Sequence, residues 1–89
     1  MTAVMLLNTN GFNMDKTRVT FVTDSTGEVT ALFPDLPSNP GYVLCYAHIG
    51  QHSEASREWV RKQRQSTIDE RAQLLREVSG IYGALEVVQ

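Results

Sequence analysis

The residues whose side chains are the best candidates for catalysis or metal binding lie between Cys45 and Ser53. This stretch holds the only cysteine of the chain and both of its histidines, His48 and His52. Thiolate and imidazole both bind zinc, so the spacing Cys-x2-His-x3-His suggests a metal site. On a regular strand, however, Cys45 and His48 point to opposite faces. Gly50 lies between the two histidines, which disfavours the helix that would place them on one face, and a fourth ligand is not evident. We therefore predict no metal ion and no other cofactor.

Cys45 and a histidine are also the residue types of a thiolate nucleophile and its base. An activated thiol needs an exposed, electropositive position, whereas Cys45 lies in an apolar strand that we expect to be buried. Paired carboxylates, a phosphate-binding glycine loop and a Ser-His-Asp order are not apparent in the sequence. The sequence thus predicts no catalytic residue, and a protein that is not an enzyme is favoured.

The same stretch is predicted to lead from a strand into a helix. Gly50 ends the strand, and Ser53 is the predicted N-cap of a helix over 54–65. The free N–H groups at a helix start attract anions, and His52 adds positive charge when it is protonated. In the alternative interpretation, Gln51 and His52 only fix the loop through hydrogen bonds. The binding residues predicted in this stretch are Tyr46, His48, Gly50, Gln51, His52 and Ser53.

A basic stripe follows on the predicted first helix. Arg57, Arg61 and Arg64 recur at i, i+4 and i+7, which places them on one face of a helix. Such a stripe can contact nucleic acid or an acidic protein surface. Glu54 and Glu58 are interleaved with it and can pair with the arginines, which is typical of a solvent-exposed face. Both interpretations stay open, and the three arginines complete the set of predicted binding residues.

Hydrophobic periodicity and turn signals predict the elements that position these residues. Strands are expected over 18–23, 28–33, 42–49 and 84–88, and helices over 54–65 and 68–79. Thr67 and Glu70 form a capping box at the start of the second helix, and Gly80 is its predicted end. The order β-β-β-α-α-β predicts an α+β fold with a four-stranded, mostly antiparallel sheet and two helices packed on one face.

One α+β domain is expected over residues 17–89. Residues 1–16 are expected to be a peripheral or poorly ordered segment, with a short strand at 3–7 as the alternative. The predicted second helix presents Ile68, Ala72, Leu75 and Val78 to the core. The residues predicted to be buried are Val19, Phe21, Val29, Ala31, Phe33, Leu44, Trp59, Leu75, Val78, Leu85 and Val87.

The composition excludes several classes of protein. The net charge of −2 over 89 residues argues against a generally basic nucleic-acid binder. One cysteine forms no internal disulfide, so a reducing compartment is expected. The apolar run at residues 3–7 is far too short to span a bilayer. These features predict a cytoplasmic protein without a membrane partner.

Parts of the chain resemble a family of small uncharacterised proteins from bacteriophages and bacterial mobile elements. The most specific part is a Tyr-x-His-x-Gly-Gln-His motif, which Tyr46, His48, Gly50, Gln51 and His52 match. The resemblance covers about residues 17–88, and this chain has Tyr82-Gly83 before the last strand, where family members often have Gly-Tyr. It implies a phage or mobile-element setting and directs attention to the histidine loop, but it implies no activity.

We therefore predict a small phage-type accessory protein that binds another macromolecule. A protein partner is favoured over nucleic acid, and modulation of a host or defence protein is one such role. The alternative is a small enzyme or ligand-binding domain that uses His48 and His52 at an anion or metal site. The sequence leaves the partner and the oligomeric state open.

Overall fold

The computed structural model describes residues 16–47 and 51–88, with Gln51 described by its backbone alone. The predicted peripheral segment 1–16 therefore lies outside the described residues except for Lys16. The elements in chain order are β1 (Thr17–Thr23), β2 (Val29–Phe33), β3 (Tyr42–Ala47), β4 (Gln51–Ser56), α1 (Arg57–Arg61), β5 (Arg64–Gln65), α2 (Ile68–Tyr82) and β6 (Leu85–Val87).

These strands form one sheet in the order β4-β3-β2-β1-β5, and every pair along this path is antiparallel. β6 pairs in parallel with the start of β1. The α+β class, with an antiparallel sheet and two helices, is confirmed. No helix in the described part of the chain is long and apolar enough to span a membrane.

The strands predicted over 18–23 and 28–33 are present and form a hairpin, whose turn is closed by a local side chain. Asp24 Oδ1 accepts hydrogen bonds from the backbone N–H groups of Thr26 and Glu28 at 2.9 and 3.0 Å. Gly27 follows with a φ of 90°, which residues with a side chain rarely adopt. An aspartate that mimics a backbone acceptor, followed by glycine, is a local turn signal, so the sequence predicts it well.

The region after β3 differs from the prediction. Residues 51–56 were expected to lead from Gly50 into a helix, but they form β4, which pairs along the whole of β3 from Tyr42↔Ser56 to Ala47↔Gln51. Ser53 is therefore a mid-strand residue and not an N-cap. The helix begins three residues later, where the Ser56 side chain accepts a hydrogen bond from the N–H of Trp59, and it ends at Arg61 rather than at residue 65.

The second helix starts as predicted and ends later. Thr67 and Glu70 form the expected capping box. The helix continues through Gly80 to Tyr82 and stops at Gly83, whose φ of 79° is the conformation that favours glycine. The predicted stripe was also rotated, because Ile68 is 73% exposed whereas Leu74 is completely buried.

Apolar side chains lie on both faces of the sheet. The face covered by α2, called the helix face, contains the larger cluster, formed by Val19, Phe21, Val29, Ala31, Phe33, Tyr46, Leu74 and Val78. On the second face, Val60 of α1 packs with Ala55 on a smaller cluster of Val22, Leu32, Val43 and Cys45. The expectation of both helices on one face is therefore wrong for α1. Strand side chains alternate in direction, so the apolar residues of β1–β3 need cover on both sides.

The predicted core was correct for six residues, which are buried: Val19, Phe21, Val29, Ala31, Phe33 and Val78. Four others pack against this cluster while partly buried: Leu44, Leu75, Leu85 and Val87. The prediction that Trp59 is buried was wrong, since this residue is 36% exposed. It lies on a helix of five residues, which has room for only one inward-facing apolar residue, Val60.

Candidate functional site

The predicted binding residues do not converge on one place. His48 and Gly50 lie outside the described residues, as does the Gln51 side chain. The strand register puts Tyr46 and His52 side by side on the helix face. Ser53, Arg57 and Arg61 belong to the second face of the sheet. Arg64 lies in β5, beyond the end of α1.

Tyr46 and His52 belong to a group of aromatic side chains on the helix face. Their ring centroids are 4.9 Å apart, and His52 Nε2 shares a hydrogen bond of 2.6 Å with the hydroxyl group of Tyr82. The Tyr82 ring in turn lies 4.7 Å from that of Phe33. The Tyr46 hydroxyl donates to Glu77 at 2.8 Å. These contacts connect the edge strand β4 to α2.

The side chains of this aromatic group have the properties of residues that stabilise the fold, and not those of reactive groups. The hydrogen bond to Glu77, together with burial, raises the pKa of Tyr46 above its usual value of 10.0. Burial likewise raises the pKa of Tyr82. Both phenols therefore stay protonated at neutral pH and are poor bases and nucleophiles. The partners Glu77 and Tyr82 were not recognised from the sequence, because 30 residues separate His52 from Tyr82.

The geometry of β3 and β4 is incompatible with a metal or thiolate site that combines Cys45 with His52, whereas His48 lies outside the described residues. Cys45 pairs with Ser53 across the strands, whereas His52 pairs with Tyr46, so Cys45 and His52 lie on opposite faces of the sheet. Cys45 is buried, and its sulfur lies 3.2 Å from the Ser53 hydroxyl. Within the described residues, no three His, Cys, Asp or Glu side chains are placed to hold a metal ion.

The anion site predicted at the helix start near Ser53 is also wrong. Residues 51–56 are in a strand, so their N–H groups do not form a free helix N-terminus. Glu54 was expected to pair with an arginine, but it faces the β2–β3 loop. Its carboxylate accepts hydrogen bonds from the Ser38 hydroxyl and the Asn39 backbone at 2.9 and 3.0 Å. These bonds lower the pKa of Glu54.

Arg64 is separated from the predicted basic stripe and is part of a polar junction. Its guanidinium donates two hydrogen bonds to Glu70, at 2.7 and 2.5 Å. Glu70 also accepts from the Thr67 backbone at 2.9 Å and from the Thr23 hydroxyl at 3.1 Å. This cluster lowers the pKa of Glu70 from 4.5 to about 2, chiefly through Arg64. Arg64 therefore fixes β5 to the start of α2 and is not free to bind a ligand.

Arg57 and Arg61 remain beside a cavity of the second face. This cavity, of about 220 Å³, has an apolar floor of Leu32, Val43 and Val60. The two arginines are exposed, and among the described residues neither forms a salt bridge or a side-chain hydrogen bond. Because helix side chains at i and i+4 lie on one face, both guanidiniums stand on the same side of α1.

A second cavity continues this space across the sheet. It has a volume of about 480 Å³ and shares Thr20, Leu32, Pro34 and Val60 with the first. Its far end reaches Gln65 and Val88. We call the two together the arginine groove, lined by Arg18, Thr20, Val22, Leu32, Pro34, Val43, Arg57, Val60, Arg61, Gln63, Gln65 and Val88. The sequence indicated two of its cations but not its floor.

Comparison of the chain with models of protein families, with curated proteins and with solved structures finds no match. The resemblance to phage and mobile-element proteins therefore stays a prediction from the motif.

Proposed function

We propose that this protein is a non-enzymatic binding protein that attaches to another protein through the arginine groove. One observation carries the proposal: two unpaired guanidiniums lie beside an apolar floor, on a sheet face that only a five-residue helix covers among residues 16–47 and 51–88. Apolar surface next to accessible cations is typical of recognition surfaces, where the apolar part supplies affinity and the charges select the partner.

The same floor favours a protein over nucleic acid. A nucleic-acid surface needs cations that follow a phosphate backbone. Here Arg57 and Arg61 flank Leu32, Val43 and Val60, and Arg64 is held by Glu70. Apolar side chains gain little from phosphates but are well matched to the side chains of a protein. The overall charge of −2 points in the same direction.

The alternative of an enzyme or ligand site at His48 and His52 receives less support. His48 lies outside the described residues, and His52 is hydrogen-bonded to Tyr82 on the face opposite the groove. The motif resemblance supports a bacterial host, so a host or defence protein is the partner class that we propose. The activity of that partner would be modulated when part of it binds in the arginine groove.

Affinity capture with matched variants tests this function. We would immobilise the wild-type chain, the Arg57→Gln/Arg61→Gln double variant and an Arg76→Gln control in bacterial lysate. Arg76 is exposed on α2, away from the groove. We expect a protein that is retained by the wild type and the control, lost with the double variant, and bound again when purified. Equal capture by all three chains would contradict the proposed function.

A further inference from the structure

We infer that the arginine groove binds an extended, acidic and apolar peptide segment of the partner. Its carboxylates would pair with Arg57 and Arg61, and its apolar side chains would lie on the floor of Leu32, Val43 and Val60. This inference rests on the proposed function and specifies the part of the partner that is recognised.

The charges of the groove select the acidic end of such a segment. Its three cations are Arg18, Arg57 and Arg61. Arg18 is already held by Asp35 in an ion pair of 2.6 Å. Arg57 and Arg61 are therefore the cations available to a ligand, and both line the same end of the groove. A guanidinium binds a carboxylate through two parallel hydrogen bonds, which makes carboxylates its preferred partners.

The dimensions of the groove fit a short extended chain. The groove crosses the sheet from Val43 on β3, over Leu32 and Thr20, to Gln65 on β5. Three strand spacings amount to roughly 14 Å, and an extended peptide of about four residues has that length. Within the described part of the chain both cavities are partly open to solvent, so an occupant keeps contact with solvent. A buried cofactor would need a deeper, more enclosed pocket.

The polarity of the groove gives the segment a direction. Both unpaired cations, Arg57 and Arg61, lie at one end. The rest of the groove is lined by amide and apolar groups and by Arg18, whose charge is balanced by Asp35. An acidic pair followed by apolar residues therefore matches the groove in only one orientation, with the acids over α1. Electrostatic contacts of this kind fix register as well as partner choice.

Fluorescence anisotropy with labelled peptides provides the test. The probe peptide has two glutamates followed by leucine, valine and leucine, and a matched peptide has two glutamines in place of the glutamates. A third peptide keeps the glutamates and replaces the apolar residues by serine. We expect the first peptide to bind at least about tenfold more tightly than either of the others, because each lacks one half of the recognition.

The matched protein variants locate the binding. The double variant Arg57→Gln/Arg61→Gln should lower the affinity for the probe peptide by about tenfold or more. Arg76→Gln should leave this affinity unchanged. Thr20→Trp should also weaken binding, because an indole at this position fills the part of the groove shared by both cavities. Circular dichroism would verify that each variant is folded.

Three results would overturn the inference. The first is equal binding of the acidic peptide and its glutamine counterpart. The second is tighter, salt-sensitive binding of a DNA oligonucleotide that displaces the peptide. The third is self-association of the wild type that the double arginine variant abolishes, since this would make a second copy the occupant. If lysate capture still depends on Arg57 and Arg61 while the acidic peptide does not bind, the inference is wrong and the proposed function stands.

Discussion

At the scale of single residues, Leu74 is one of the two buried side chains by which α2 packs on the sheet. It is completely buried, whereas the neighbouring Leu75 is only partly buried. We therefore expect Leu74→Ala to lower the free energy of unfolding by about 2–5 kcal/mol, through lost burial and a residual cavity. Leu75→Ala should have a clearly smaller effect. Urea denaturation of both variants measures the difference, and an equal loss would mean that the helix is rotated from the described position.

Glu70 should make the stability of the fold depend on pH in the acidic range. Its pKa falls from 4.5 to about 2 in the folded chain, so its ionised form stabilises the fold. That stabilisation is complete above the ordinary value of 4.5 and is lost as the pH falls towards about 2. Glu70→Gln should therefore melt below the wild type at neutral pH, and the two melting temperatures should approach each other in acid.

Thermal melts from about pH 7 to about pH 2 measure this difference. The matched control is Glu58→Gln, at an exposed position of α1. At neutral pH its melting temperature should lie closer to that of the wild type than the melting temperature of Glu70→Gln does. A difference between Glu70→Gln and the wild type that stays constant with pH would show that ionisation of Glu70 does not contribute to stability.

At the scale of elements, replacing Gly80 inside α2 and Gly83 at its end by alanine should change stability in opposite directions. Gly80 lies inside the helix with open space where the Cβ of an alanine would stand, so Gly80→Ala should stabilise the protein by about 0.5–1 kcal/mol. Gly83 has a φ of 79°, so Gly83→Ala should destabilise it by about 1–3 kcal/mol. Chemical denaturation of the two variants gives both signs, and stabilisation by Gly83→Ala would place the helix end elsewhere.

The elements that could be predicted are those specified by local signals. The turn after β1 has Asp24 and Gly27, and the second helix has the capping box of Thr67 and Glu70. β4 has no such signal: residues 51–56 are polar or small, and their strand depends on pairing with β3. Ser53 and Ser56 are equally good N-caps in the sequence, and only this pairing decides between them.

The candidate site was predictable to the same extent. The placement of Arg57 and Arg61 on one side of a helix could be predicted from their spacing. The floor beneath them could not, because it combines side chains from three strands and one helix, and their alignment depends on the register of the sheet. The aromatic contact of His52 with Tyr82 likewise requires the helix and the edge strand to be placed first.

At the scale of the whole molecule, the two faces of the sheet are covered to different extents by the described residues. The helix face holds the completely buried side chains Phe21, Phe33 and Leu74 under the 15-residue helix α2. The second face is covered by a helix of five residues and keeps an open groove. Stability should therefore depend mainly on the first face, and binding mainly on the second.

This separation predicts the effect of substitutions on each face. Phe33→Ala should lower the free energy of unfolding by about 3–5 kcal/mol, because a fully buried ring is lost. Arg57→Gln/Arg61→Gln should change it by less than about 0.5 kcal/mol, because exposed side chains without ion pairs contribute little to folding. Urea denaturation measures both values. A loss above about 1.5 kcal/mol in the double variant would show that the arginines help to hold α1 in place, and weaker peptide binding would then reflect a disturbed groove rather than lost carboxylate contacts.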